Sequence, residues 1–75
     1  MPFYKWMIQN HIDDNTTIGS IARLMEANKH RFRRARGYAK ARGYLETLTT
    51  RQDYLDAFDR AWGEYRRSQM QESDA

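Results

Sequence analysis

Between Tyr54 and Tyr65 the residues Tyr54, Leu55, Phe58, Ala61, Trp62 and Tyr65 project within about 120° of one another on a helix of 3.6 residues per turn. No other stretch has so wide an apolar face, so this segment is the expected core helix and the rest of the chain must supply surfaces that cover it. The constraint is severe because the chain has only 75 residues. A domain near this size buries about 60% of the surface its unfolded form exposes, and its hydrophobic total is only 40%. Ten aromatic residues offset that shortage, each able to bury roughly 150–250 Å². There is no cysteine, hence no disulfide framework, thiolate metal site or thiol nucleophile, and stability must come from packing.

Three further helices are expected. Pro2 suits a helix's first turn, and Phe3 to about Ile12 follows, with Phe3 and Met7, and Tyr4 and Ile8, at i,i+4 spacing and Trp6 widening the face. The run from Asp13 to Thr17 reads as a loop with a cap. Ile18, Ile21, Ala22 and Met25 make an amphipathic stripe from about Thr17 to Ala27. Tyr38, Ala41, Leu45 and Leu48 recur on one face of another helix, which places Tyr38 inward and turns Arg36, Lys40, Gly43 and Thr47 outward. For the last helix, Thr50 is the expected N-cap with Asp53 three residues on, and Asp56 to Arg60 and Arg60 to Glu64 have the spacing of i,i+4 ion pairs. The expectation is an all-α fold, a compact bundle of four short helices over residues 1–68, followed by a polar, disordered tail over 69–75.

Lys29 to Arg42, KHRFRRARGYAKAR, holds seven of the thirteen Lys and Arg residues and none of the ten Asp and Glu residues. It carries +7 where the rest of the chain carries −4, a division that the formal net charge of +3 conceals. Phe32 is its only large apolar residue before Tyr38, so Lys29 to Arg36 reads as a loop pinned by one buried aromatic.

The segments Phe3-Tyr4 with Trp6, Ile18, Ala22 and Phe32, then Tyr38, Tyr44-Leu45-Glu46, and Phe58-Asp59 with Ala61-Trp62 and Tyr65 resemble the YozE family of short bacterial proteins. The resemblance covers roughly residues 2–66 and implies a sterile-alpha-motif-like (SAM-like) helical fold; it implies a fold more firmly than a function, with nucleic-acid binding suggested by the fold's relatives. The family typically has Phe-Pro followed by mixed polar residues where this chain has Phe32-Arg33, then Arg34, Ala35 and Arg36. The arginines therefore read as this chain's own addition to a shared scaffold.

A concentrated basic patch is the usual footprint of a polyanion partner. Lys29, Arg31, Arg33, Arg34, Arg36, Lys40 and Arg42 are the expected phosphate contacts for DNA or RNA, with Tyr44 as a stacking face for a base. Two other readings stand beside this one: a solvated face that keeps a small protein soluble, and a basic surface that binds or inhibits an acidic protein partner. As SAM-like domains often self-associate, the chain is expected to be a monomer or to self-associate weakly. His11 beside Asp13 and Asp14 reads as a helix end and turn rather than a metal site, and His30 as a further surface donor. With no Ser-His-Asp arrangement, phosphate-cradling glycine loop or paired buried carboxylates in view, no enzyme, cofactor or metal is expected. No segment approaches the roughly 18 apolar residues of a membrane span, so the expectation is a cytoplasmic protein without a membrane partner.

Overall fold

The computed structural model describes residues 1–73, with side chains through Met70. Five helices follow one another: α1 (Phe3–His11), α2 (Thr17–Ala27), α3 (Lys29–Arg34), α4 (Tyr38–Leu48) and α5 (Gln52–Ser73). Among the described residues there is no strand, so the fold is all-α, as the periodicities predict. α5 has 22 residues, about 33 Å at 1.5 Å per residue, comparable with the molecule's longest extent of 37 Å. The Cα radius of gyration is 11.7 Å, close to the roughly 11 Å expected of one compact body of this length.

The core forms where α5 meets α1, α2 and α4. Met7, Ile21, Ala22, Leu45, Ala57, Phe58 and Ala61 have no solvent exposure, and Phe3, Trp6, Met25, Phe32 and Ala41 are also buried. Fully buried Ala57 lies outside the apolar stripe read from the sequence. The inward face of α5 is therefore rotated toward Ala57 and Ala61, whose small side chains let α2 approach closely around Phe58. Trp62 and Tyr65 are carried to the edge of the core, where they remain partly buried and pack with Phe3 at ring-centroid distances of 4.7 and 5.2 Å.

Helix boundaries follow local chemistry. Thr16 caps α2 by accepting a hydrogen bond from the Gly19 N–H at 3.1 Å. Gly19 also permits the Asp13–Thr16 turn to fold against α2, because a Cβ there would lie 2.0 Å from the Asp14 carbonyl oxygen. Arg23 ties the same turn down, donating to the carbonyls of Ile12 and Asp14 at 3.0 and 2.9 Å.

The expected loop over Lys29–Arg36 is instead largely helical. Asn28 joins two helices: its N–H bonds to the carbonyls of Leu24 and Met25 at the end of α2, while its carbonyl accepts from the N–H groups of Arg31 and Phe32 in α3. Six residues make a marginal helix on their own. Lys and Arg are good helix formers, and Phe32, at 3% exposure, anchors the turn with roughly 1.5–3 kcal/mol of apolar burial. The bundle thus has five helices rather than four. Gly37, with φ +87°, supplies the left-handed residue that turns the chain from α3 into α4.

Two other details differ. Thr50 does not cap α5. The helix starts at Gln52, Thr49 Oγ1 accepts from the Arg51 N–H at 3.1 Å, and Asp53 takes two hydrogen bonds from the Arg51 guanidinium at 3.1 and 2.8 Å. That pairing holds the exposed Asp53 carboxyl below the usual carboxylate range. The Asp56–Arg60 and Arg60–Glu64 pairs do not form among the described residues; Asp56 accepts from Gln52 at 2.8 Å, and Glu64 lies 4.0 Å from His11 Nε2. At the other end, α5 continues through Ser73, and Gln69 Oε1 accepts from the amino terminus at 3.0 Å. Of the expected tail, residues 74 and 75 lie outside the described residues.

Candidate nucleic-acid interface

α3, the Ala35–Gly37 turn and the first half of α4 carry a run of exposed cations. On α3 the 100° step per residue sets Arg34 and His30 opposite buried Phe32 and places Arg31 and Arg33 on its two flanks. One buried ring therefore fans the cations outward. Lys29, Arg31, Arg33, Arg34, Arg36 and Lys40 are all exposed, and among the described residues none of these six has a hydrogen bond or ion pair to a carboxylate. Glu26, the acidic residue nearest in sequence, is occupied by the Tyr4 hydroxyl at 2.7 Å.

Arg42, the seventh expected contact, is committed within the fold. Its Nε donates to Asp59 at 3.2 Å and its Nη1 to Glu46 at 3.0 Å, and its side chain is only 18% exposed. The hydrogen bond to Asp59 leads the causes that raise the guanidinium's pKa further. The Glu46 partner was legible, since the two residues are at i,i+4 spacing; Asp59 required the tertiary fold.

The two tyrosines exchange the places expected of them. Tyr38, assigned to the core face, is 39% exposed and lies at the rim, its ring 5.7 Å from that of Trp62 and its hydroxyl bonded to Asp59. Tyr44, the expected stacking face, is partly buried with its ring edge-on to Phe32 at 6.2 Å. It still lines a shallow depression together with Ala39, Lys40, Gly43 and Thr47.

A second feature is more enclosed. On the side of α3 nearer the amino terminus, a cleft of about 350 Å³ is lined by Phe3, Tyr4, Trp62 and Tyr65 and by Arg33 and Arg36. Phe3 and Tyr4 come from α1, the arginines from α3 and the turn after it, and Trp62 and Tyr65 from α5. Their meeting has no signal in the local sequence beyond the lone Phe32 that draws α3 onto the core.

His11 closes a separate corner, with Nδ1 2.6 Å from Asp14 Oδ2 and its ring edge-on to Trp6 at 5.3 Å. Among the described residues no group of three or more His, Cys, Asp or Glu side chains is placed to hold a metal ion. No helix among them is long and apolar enough to cross a membrane.

Comparison with curated proteins and with solved structures finds no match. Residues 2–67 match the family model described as the YozE SAM-like fold, a span that takes in all of α1 to α4 and most of α5. The five-helix bundle, with its aromatic core centred on Phe58 and reaching the rim at Trp62 and Tyr65, is thus a SAM-like fold, and the chain belongs to the YozE SAM-like family.

Proposed function

We propose that this is a small non-enzymatic binding protein that holds the phosphate backbone of DNA or RNA on its basic face, with low sequence specificity. The observation that carries this reading is the set of six exposed cations, Lys29, Arg31, Arg33, Arg34, Arg36 and Lys40, concentrated on α3, the turn after it and the start of α4 without a carboxylate partner among the described residues. Solvation alone asks for mixed and dispersed charge. Arg predominates, and a guanidinium engages phosphate bidentately where an ammonium acts as a point charge. α3, with six residues, is too short to carry a base-reading set of side chains along a major groove, which favours contacts to phosphate over contacts to base edges.

The test is the salt dependence of binding to duplex DNA and to RNA. With four or five phosphates engaged, log K falls against log salt with a slope of about −4, from about −0.9 per phosphate on a duplex. Arg33→Glu combined with Arg36→Glu abolishes the binding. Salt-independent binding, or none at low salt, overturns the reading; a defined protein partner retained after nuclease treatment, with no nucleic acid bound, points instead to an interaction module for an acidic protein.

A further inference from the structure

We infer that the cleft between α1, α3 and α5 receives an unpaired base of a single strand, with the adjoining phosphates on Arg33 and Arg36. This rests on the nucleic-acid reading and goes beyond it, because a face that grips phosphates alone does not distinguish a single strand from a duplex.

The chemistry of the lining selects the occupant. Tyr4, Trp62 and Tyr65, partly exposed and backed by buried Phe3, supply an aromatic wall, and Arg33 and Arg36 stand at the same cleft without a carboxylate partner among the described residues. A ligand that satisfies both has a flat apolar body next to an anion, which describes a nucleotide. The volume, about 350 Å³, lies at the small end of the range for ligand pockets, roughly 300–1,000 Å³, and suits one base rather than several. The wall is also rigid. Phe3 packs against Trp6, Phe58, Trp62 and Tyr65 with ring centroids 4.7–6.1 Å apart, and the Tyr65 hydroxyl donates to the Met1 carbonyl, so a base meets a preformed surface and little ordering cost is added on binding.

Gly37 borders the same cleft. It precedes α4, whose amino end has no side-chain cap, so the partial positive charge of that helix end lies beside the two guanidiniums. The other four cations, Lys29, Arg31, Arg34 and Lys40, are exposed on the same segments of chain, close enough in sequence to meet the phosphates that adjoin the bound nucleotide. A base paired within a duplex is stacked on its neighbours and is not available to such a cleft without being flipped out, which costs unstacking energy.

The test compares three probes at one salt concentration: a short oligothymidylate, the same oligonucleotide with abasic sites in place of its bases, and a DNA duplex with the same number of phosphates. Base–aromatic stacking predicts that the intact single strand binds about tenfold or more tighter than the abasic one, and tighter than the duplex. Ala35→Trp, which places bulk at the cleft without altering charge, removes the advantage of the intact strand over the abasic one; its helicity by circular dichroism shows whether it is folded. If Ala35→Trp does not fold, quenching of Trp62 fluorescence by the intact strand and not by the abasic one places the base at the cleft, which Trp62 lines, and an unquenched Trp62 overturns that placement. Equal affinity for the intact and abasic strands overturns the base-binding cleft and leaves the phosphate-binding face standing. Absence of salt-dependent binding to all three probes overturns both.

Discussion

The Tyr38 hydroxyl donates to Asp59 Oδ1 at 2.6 Å, and Arg42 Nε donates to the same oxygen at 3.2 Å. One carboxylate on α5 thereby fastens the first and second turns of α4. It also takes out of the basic face a cation that its position in the chain would assign to that face.

This junction gives the fold an alkaline limit. The hydrogen bond to Asp59, with some burial, raises the Tyr38 pKa above the ordinary tyrosine value, and burial followed by the hydrogen bond to Glu26 raises that of Tyr4. The folded state holds both protons more tightly than the unfolded chain does. The stabilisation is therefore fully present below the unfolded pKa of about 10 and is lost as pH rises through the raised folded values. Thermal unfolding followed by circular dichroism is expected to show Tm falling above about pH 10, with a shallower fall in Tyr4→Phe combined with Tyr38→Phe. An unchanged alkaline fall in the double variant refutes this origin.

Arg42 and Arg36 are expected to separate stability from binding. Arg42→Gln breaks the contacts to Asp59 and Glu46, costs about 1 kcal/mol, and leaves the salt slope of nucleic-acid binding unchanged. Arg36→Gln leaves Tm unchanged and makes the slope shallower by about 0.9 for the one phosphate lost. Paired thermal melts and salt titrations decide; a loss of slope in the Arg42 variant counts against its structural assignment.

Two glycine-to-alanine changes are expected to have opposite signs. Gly19→Ala sets a Cβ 2.0 Å from the Asp14 carbonyl oxygen; the backbone of the turn must shift, at about 1–3 kcal/mol of stability. Gly43→Ala lies within α4, where nothing stands within 4 Å of the added carbon, and gains about 1 kcal/mol from helix propensity. Chemical denaturation midpoints provide the measurement.

Phe58 sets the limit of what the core tolerates. It is the largest fully buried side chain, and Phe58→Ala is expected to cost about 3–5 kcal/mol. A domain of 75 residues has about 4–11 kcal/mol in all, at 0.05–0.15 kcal/mol per residue. The alanine variant is thus expected to lose a quarter or more of that stability and to melt at least about 12 °C lower, while Phe58→Leu melts closer to the parent; thermal melts followed by circular dichroism distinguish them.

Much of the fold was legible because helical periodicity and capping are local. The spans of α2 and α4 and the start of α1 follow from the spacing of Phe3, Met7, Ile21, Ala22, Met25, Ala41 and Leu45, whose burial needs only a 3.6-residue period and a partner surface, with Ile18 partly buried beside them. The basic stretch and its outward cations were legible for the same reason: charge is counted along the chain. α3 was not, because a helix of six residues has too few apolar positions to show a period and is held by one distant contact through Phe32.

Periodicity and the order of charges along the chain settle the all-helical architecture, the aromatic core helix and the concentration of cations between Lys29 and Arg42. Tertiary structure alone decided how α5 rotates about its axis, turning Ala57 inward and bringing Trp62 and Tyr65 to the rim. It also decided that Asp59 captures Arg42 and that Arg33 and Arg36 border the aromatic cleft. The physical reason is range: period and propensity act within a few residues, whereas the orientation of a helix and the partner of a charge are set by close packing against residues far away in the chain.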